Sequence, residues 1–363
     1  MSKKNKGCGC FSVVIILFLI IIVSFFALYA IDPGNLEKNL TLGVEELRKF
    51  IVEFSGIEEK TEENLVMPEE EELTEAQNYY YYQQLSETAK KIYVTIENNI
   101  ENLKNGSENI PLPSSLNDVA KSNENGKELV AQEFQNAWDA FITDKSEYFY
   151  IDSSKVCLVT KITTKGSNSN YEFFIGKGEN ENYFIDTFNS KEEVEKALAE
   201  IEKVKNEILE NCNGNNYNKI KYVHDYIIEN TEYDTNESDN VSNIYGCLVN
   251  NTAICEGYAR TFKYLLDELN IPCVLVSGTA VDENGKEERH AWNYVDLQNN
   301  WYAIDTTWDD PIIIGNGIIT DKIKYRYFLN GSNTMNEDHT ILGQVTKDGF
   351  IFKYPELNKE DFE

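Results

Sequence analysis

The chain has 363 residues, with a hydrophobic fraction of 41% and a charged fraction of 26%, values typical of a globular protein with one large or two ordinary domains. Its formal net charge is −29, from 33 Lys and Arg against 62 Asp and Glu. Because a nucleic-acid-binding protein needs a basic face that neutralises phosphates, we expect no nucleic-acid partner.

Cysteine and histidine usage gives no indication of a metal centre. The chain has seven cysteines and three histidines, without the HExxH spacing and without a CxxC pair in the folded part. We therefore predict neither a metal nor a cofactor. Scattered cysteines in a long chain are usually buried apolar residues, although disulfides among four of them stay open as an alternative. These four are Cys157, Cys212, Cys247 and Cys273.

An uncharged apolar stretch covers residues 11–31 and is long enough to span a bilayer, which takes about 20 residues of helix. Lysines precede it within residues 1–10, whereas Asp32 and Glu37 follow it. By the positive-inside rule, we predict a single-pass transmembrane helix in the cell membrane, with a cytoplasmic N-terminus and an extracellular catalytic domain. A cleaved signal peptide is the alternative, but the apolar run exceeds the roughly 7–15 residues of a signal-peptide core.

Residues 32–73 are predicted to be an acidic stalk or linker. Glutamates are dense between Glu58 and Glu72, with Pro68 among them and little apolar content. A block of like charge stays solvated and extended. We therefore expect a spacer between the membrane and the folded region.

Residues 74–211 are predicted to form a smaller α+β accessory domain without a catalytic site of its own. Apolar residues recur at helical spacing over residues 85–103 and 127–141, and residues 191–211 have the pattern of a strongly charged helix. Segments rich in β-branched and aromatic residues indicate strands between these helices. The predicted strands cover residues 148–151, 155–163, 171–175 and 183–186.

Residues 212–363 are predicted to form the catalytic domain, with Cys255 at the start of a helix. Apolar residues from Tyr258 to Leu269 repeat at helical spacing directly after this cysteine. Cys255 is therefore expected in the first helical turn, where unpaired N–H groups and the helix dipole favour an anion. A thiol in this position is a candidate nucleophile.

The segments after this helix supply a candidate base and a candidate acid. Asn284-Gly285 indicates a hairpin turn, the returning strand carries His290, and the next strand ends at Asp305. Neighbouring antiparallel strands could hold His290 beside Asp305, with the helix placing Cys255 against them. Nucleophilic catalysis needs a base within reach of the thiol and a carboxylate that fixes the tautomer of the base. Each residue taken alone also has a structural explanation.

The sequences ICEGYA, HAWNYV and WYAIDTTWDDP, within residues 215–312, resemble the core motifs of the transglutaminase-like superfamily. This superfamily of papain-like cysteine enzymes includes animal transglutaminases and many bacterial proteins regarded as peptidases. The resemblance implies an α+β, papain-like core in a membrane-anchored bacterial protein. It implies that Cys255 is the nucleophile, His290 the base and Asp305 the orienting acid. The calcium sites of the animal enzymes have no recognisable counterpart, so the resemblance implies no metal.

Four aromatic residues are weaker candidates for substrate binding: Trp292, Trp308, Tyr258 and Tyr233. Trp292 shares a predicted strand face with His290, so the two tryptophans could form the walls of an acyl-binding groove. Core packing is the alternative for the tryptophans and a structural role for the tyrosines. Two histidines lie outside the motifs: we expect His224 in a packing helix and His339 on a loop surface.

The predicted reaction is acyl transfer from a peptide or protein amide through a thioester on Cys255. Water as the acceptor would make the protein a peptidase or amidase, whereas a lysine amine would make it a protein-cross-linking transglutaminase. Hydrolysis is preferred because bacterial members are usually regarded as peptidases, and the predicted location suggests cell-wall peptides or surface proteins as substrates. A catalytically silent surface binding module is the alternative from another functional class.

Overall fold

The computed structural model describes residues 79–236, 238–310, 320–345 and 351–363. The predicted cytoplasmic end, transmembrane helix and acidic stalk lie outside these ranges. Within them, no helix has both the length and the apolar character that crossing a membrane requires. The described residues all belong to one compact unit with a mixed α and β architecture.

The N-terminal part of the described chain combines helices with a small antiparallel sheet in the order β1-β3-β2. In chain order its elements are α1 (Tyr80–Gln83), α2 (Glu87–Asn98), α3 (Ile100–Lys104), β1 (Ile110–Pro111), α4 (Leu116–Lys121), α5 (Gly126–Asp144), β2 (Cys157–Lys165), β3 (Asn168–Gly176) and α6 (Lys191–Asn211).

Several sequence predictions for this part are confirmed. Helix α6 has the predicted bounds, α5 contains the helix predicted at 127–141, and β2 and β3 overlap the strands predicted at 155–163 and 171–175. The helix predicted at 85–103 is divided into α2 and α3, because Asn99 leaves the helical conformation between them. Ser86 caps the N-terminus of α2, since its side chain accepts a hydrogen bond from the N–H of Ala89.

Two strand predictions are wrong. The first overlaps a 3-10 helix at Ser146–Tyr148, and both predicted segments contribute only an isolated bridge between Ile151 and Phe184. Their aromatic side chains are buried in the first hydrophobic cluster or packed against it, rather than arranged along a sheet. Strand propensity here reflects burial of aromatic groups, which a non-strand backbone satisfies equally well.

The C-terminal part contains a five-stranded antiparallel sheet in the order β10-β6-β7-β8-β9. In chain order the elements are α7 (Asn216–Asn230), β4 (Glu232–Tyr233), α8 (Ile244–Leu248), β5 (Thr252–Ala253), α9 (Cys255–Glu268), β6 (Cys273–Val281), β7 (Glu287–Leu297), β8 (Asn300–Ile304), α10 (Asp321–Lys324), β9 (Phe328–Asn330), α11 (Ser332–Met335), β10 (His339–Ile341), β11 (Gln344–Val345) and β12 (Ile351–Phe352).

The β6–β7 hairpin forms the centre of this sheet. Its turn contains Gly285 at φ +80°, as the Asn-Gly signal predicted, and its register pairs Gly278 with His290. Strand β8 pairs with β7, with Ile304 opposite Asn293. The chain leaves β8 at Ile304, so Asp305 lies at the end of the strand next to the one that carries His290.

The sheet contributes to two large hydrophobic clusters and to a small third one, which contains Leu275 and Ala291. Trp292 of β7 belongs to the first cluster, together with Tyr81 and Trp138 of the N-terminal helices. Val295 of the same strand belongs to the second, together with Leu265 of α9. The first cluster therefore contains residues from both predicted domains, and the boundary at 211/212 stays a prediction.

Hydrogen bonds from two directions fix helix α9. Buried Asn293 of β7 donates from Nδ2 to the carbonyl oxygen of Ala259, at 3.0 Å. Arg260 of α9 donates from Nη1 to the carbonyl oxygen of Ile142 in α5, at 2.9 Å. The helix that begins at Cys255 is therefore bound to the sheet and to the N-terminal helices.

Gly278 allows the edge strand β10 to approach β6. A Cβ atom at this position would lie 2.2 Å from the carbonyl oxygen of Thr340 and 2.5 Å from Cη2 of Trp292. We expect Gly278→Ala to displace β10 and to lower the free energy of unfolding by about 2 kcal/mol. Urea denaturation measures this change.

Gly285→Asn is the matched control on the same hairpin. No atom lies within 4 Å of a Cβ built at Gly285, and asparagine tolerates its positive φ. We expect a change within about 0.5 kcal/mol. An equal loss of stability in the two variants would contradict the importance of the close approach at Gly278.

Candidate active site

Cys255 is the first residue of α9, as predicted, and it follows Ile254 in an extended conformation. Its side chain is partly buried and packs against Ala259, Leu275 and Ala291. The N–H groups of a first helical turn have no partner within the helix, so they are available to stabilise negative charge next to the thiol. This position suits a nucleophilic thiol, because the side chain is only partly buried and the helix N-terminus stabilises its thiolate form.

His290 lies in β7 with only 6% of its surface exposed, and its Nε2 is 2.7 Å from Oδ2 of Asp305. Burial alone lowers the pKa of this imidazole, but the charge and hydrogen bond of Asp305, with the contact to Cys255, raise the pKa to about 10. Because Asp305 engages Nε2, Nδ1 is the ring nitrogen that remains for the thiol. The geometry therefore brings together all three predicted triad residues.

Asp305 is fully buried, and each of its carboxylate oxygens accepts two hydrogen bonds. Oδ2 accepts from His290 and from Nε2 of His339, which is 3.1 Å away. Oδ1 accepts from the backbone N–H groups of Thr307 and Trp308, at 3.0 and 3.2 Å. Burial alone would raise the pKa of Asp305, but His290 and His339 hold it well below its usual range.

The expectation that His339 lies on a loop surface is wrong. His339 is 2% exposed and begins β10, where it pairs with Ala280 of β6. A strand of three residues is too short for its alternation to show in the sequence, and its partner strand is distant along the chain. Sequence analysis therefore missed a residue that contacts the predicted catalytic aspartate.

The ligand atoms of His290, Asp305 and His339 lie within 4.8 Å of one another, so these side chains could hold a metal ion. Two imidazole nitrogens and a carboxylate are a ligand set that zinc accepts. The three groups already satisfy each other, however, because both histidines hydrogen-bond Oδ2 of Asp305. Their contacts are fully explained as a hydrogen-bonded network.

The two predicted substrate-binding tryptophans have different environments. Trp292 is 1% exposed and its ring is stacked on that of His290, with 6.0 Å between centroids. Trp308 is half-buried, with its centroid 5.2 Å from that of His290, and it lines a cleft of about 440 Å³. Packing around the imidazole accounts for Trp292, whereas Trp308 is also open to a bound molecule. A substrate-binding role for either tryptophan stays a prediction.

The two tyrosines also differ. Tyr258 is fully buried, and its hydroxyl donates to Oδ2 of Asp310 at 2.6 Å, which indicates a structural role. Tyr233 is 37% exposed, and its raised pKa is due first to burial and next to the charge of Cys255. Tyr233 is therefore near the thiol and accessible, and its contact with substrate remains a prediction.

A second buried histidine–aspartate pair has its aspartate in the segment that follows Asp305. His224 in α7 is fully buried, as a packing helix predicts, and its Nε2 is 3.0 Å from Oδ2 of Asp309. Oδ1 of Asp309 accepts from the N–H of Tyr327 at 2.9 Å. The pair connects α7 to the segments on either side of the site.

The chain has a recognisable family relationship over this region. Residues 202–306 match the family model described as the transglutaminase-like superfamily, so the chain contains a transglutaminase-like domain. The human and mouse proteins named kyphoscoliosis peptidase are 30% identical over 97 residues and 31% identical over 100 residues. Each alignment covers 23% of this chain, and the chain spans only 14% of the length of each relative.

The chain also aligns with two solved structures, at low overall similarity. A crystal structure of a protein called TGase is 17% identical, with a TM-score of 0.29, covering 48% of this chain and 50% of that protein. The periplasmic domain of TgpA from Pseudomonas aeruginosa, bound to ethylmercury, is 16% identical with a TM-score of 0.23 and covers 31% of this chain and 44% of that domain.

Removing the charge of Asp305 tests how strongly this carboxylate raises the pKa of His290. We expect Asp305→Asn to lower the pKa of His290 from about 10 to 6.5 or below, because burial persists while the charge that opposes it is gone. An NMR titration of the His290 ring measures the shift.

Asp309→Asn is the matched control, because Asp309 is an equally buried aspartate paired with His224. We expect it to lower the pKa of His224 and to leave that of His290 near its original value. A His290 pKa that is unchanged in Asp305→Asn would contradict the assigned pairing.

Proposed function

We propose that the chain is a cysteine acyl-transfer enzyme that acts on peptide or protein amides through Cys255, His290 and Asp305. One observation carries the proposal: a buried, hydrogen-bonded His290–Asp305 pair is in contact with a cysteine at the start of a helix. A thiol, a base and a carboxylate in this order are the components of nucleophilic catalysis.

The first half of the reaction forms a thioester. Sγ of Cys255 attacks the amide carbonyl carbon while Nδ1 of His290 holds the thiol proton. The N–H of Cys255 is one donor for the oxygen that becomes negative. When the C–N bond breaks, His290 delivers its proton to the departing amine. Asp305 stabilises the imidazolium that exists between these two transfers.

The second half resolves the thioester, and we propose water as the acceptor. His290 takes a proton from water, hydroxide adds to the thioester carbonyl, and the proton returns to the sulfur as the C–S bond breaks. The raised pKa of His290 suits the first half of the reaction, in which the imidazolium must remain charged until the amine leaves. Lysine as the acceptor would follow the same steps and cross-link two proteins instead.

The reactivity of the Cys255 thiol distinguishes the proposed enzyme from a catalytically silent binding module. We expect iodoacetamide to alkylate Cys255 about 100-fold or more faster than Cys157 at neutral pH, since His290 activates only Cys255. Cys157 is the matched internal control because it is also free and partly buried. Peptide mass spectrometry of the purified full-length chain measures both rates.

The His290→Ala variant completes this test. It should lose the rate advantage of Cys255 while the Cys157 rate stays the same, and Cys255→Ala should abolish amide cleavage. Equal rates at Cys255 and Cys157 in the wild-type chain would overturn the enzyme proposal in favour of the binding module.

The acceptor is tested by offering water and an amine together. We expect a mixture of glutamine-containing peptides and a lysine analogue to yield mainly cleaved or deamidated peptides, identified by mass spectrometry. Cys255→Ala is the control for uncatalysed change. If amine adducts dominate at moderate amine concentration, the protein is a transglutaminase.

We also propose that residues 11–31 anchor the chain in a cell membrane, with the N-terminus in the cytoplasm and the catalytic residues outside. Support comes from the uncharged apolar composition of this stretch and the lysines before it. Peptides of the cell wall or of surface proteins would then be accessible substrates. An anchored full-length chain should resist alkaline extraction from the membrane. Protease added outside intact cells should digest its catalytic part. The two results together test this topology.

A further inference from the structure

His339 bridges two carboxylates at the edge of the candidate active site. Its Nε2 is 3.1 Å from Oδ2 of Asp305, and its Nδ1 is 2.7 Å from Oδ1 of Asp338. Asp338 in turn accepts a hydrogen bond from the hydroxyl of Tyr327 at 2.7 Å, and Arg326 is 3.6 Å from the same carboxylate. A continuous polar path therefore leads from Asp305 to the cleft that Asp338, Tyr327 and Arg326 help to line.

The contact of His339 with Asp305 requires a proton on the ring nitrogen that faces this carboxylate. An ionised carboxylate accepts hydrogen bonds but donates none, so Nε2 of His339 is the donor to Oδ2 of Asp305. The same bond completes the set of four donors around the Asp305 carboxylate.

Aromatic groups surround the ring on its remaining sides. Ring centroids of Trp292, Trp308 and Tyr327 lie 5.0, 4.7 and 5.3 Å from that of His339, all in edge-to-face arrangements. The titratable or charged groups that face His339 are Asp305, Asp338, Tyr327, Arg326 and His290, whose ring centroid is 5.5 Å away. This enclosure excludes water, which strengthens the bond to Asp305.

We propose that His339 is a positioning residue for the reaction: it fixes Oδ2 of Asp305 towards His290 and keeps this carboxylate ionised. The inference rests on the function proposed above, because it assigns how the orienting acid of that same site is held. His339 takes no part in the bond changes of the proposed reaction. It acts through Asp305, as outer hydrogen-bond partners do in other sites where a carboxylate orients a histidine.

Two substitutions separate this role from simple packing. His339→Phe keeps an aromatic ring between Trp292, Trp308 and Tyr327 but removes the ring nitrogens, and with them the donor to Asp305. His339→Gln loses the ring but retains an N–H group at the distance of Nε2, so it can still donate to Asp305. We expect the Phe variant to reduce the Cys255 alkylation rate by about 10- to 100-fold and the Gln variant to recover most of that loss.

The pH profile provides a readout that a packing role would not change. Because His339 lowers the pKa of Asp305, its loss should raise that pKa, so that protonation of Asp305 releases His290 at a higher pH. The acidic limb of the alkylation profile should therefore move to higher pH in the Phe variant. A profile that keeps its midpoint, with only a lower melting temperature, would overturn the proposal.

A direct titration of Asp305 distinguishes failure of this inference from failure of the proposed function. In the full-length chain labelled with ¹³C at aspartate carboxyl groups, the Asp305 resonance should titrate at higher pH in His339→Phe than in the wild type. This measurement needs no catalysis. If Cys255 proves unreactive while Asp305 shifts, the enzyme proposal fails and the His339–Asp305 coupling stands. An unshifted Asp305 in the Phe variant overturns the coupling whatever the activity.

Discussion

The buried carboxylate of Asp305 is the constraint on which the rest of the site depends. Moving an ionised carboxylate out of water is strongly unfavourable unless hydrogen bonds and opposite charge compensate for it. Here Oδ1 accepts from the backbone beyond β8 and Oδ2 accepts from two histidines. The backbone donors belong to the motif itself, so the turn after β8 must adopt one conformation for the carboxylate to be satisfied. The geometry of His290 follows from that conformation.

The sheet supplies the two histidines from strands on opposite sides of β6. His290 lies in β7 and His339 in β10, and both strands pair with β6. Gly278 pairs with His290 in β7 and with Ile341 in β10, and its missing side chain leaves room for the β10 backbone and for Trp292. A single glycine therefore connects the edge-strand pairing with the packing around the imidazole of His290. The geometry of the site therefore depends on how the strands of the sheet pack.

Much of the site was predictable because its sequence signals are local. Helical spacing after Cys255 and the Asn-Gly turn before His290 determine the positions of these residues without knowledge of distant contacts. His339 was not predictable, since its environment comes from pairing with β6 and from Asp305, both far away along the chain. The same holds for the segments at 148–151 and 183–186, where the composition indicated burial but not the backbone conformation. Sequence periodicity reports which face is apolar, and it carries little information about which buried polar groups meet.

The position of Cys255 depends on residues well outside the transglutaminase-like segment. Helix α9 hydrogen-bonds the backbone of α5 through Arg260, and Tyr81 donates from its hydroxyl to the carbonyl oxygen of Leu275, which packs near the thiol. Trp292, which stacks on His290, shares its hydrophobic cluster with Trp138 of α5. A chain that began after α6 would expose this cluster to water, at a cost proportional to the apolar area uncovered. The N-terminal helices are thus part of the structure that holds Cys255 and His290 in place.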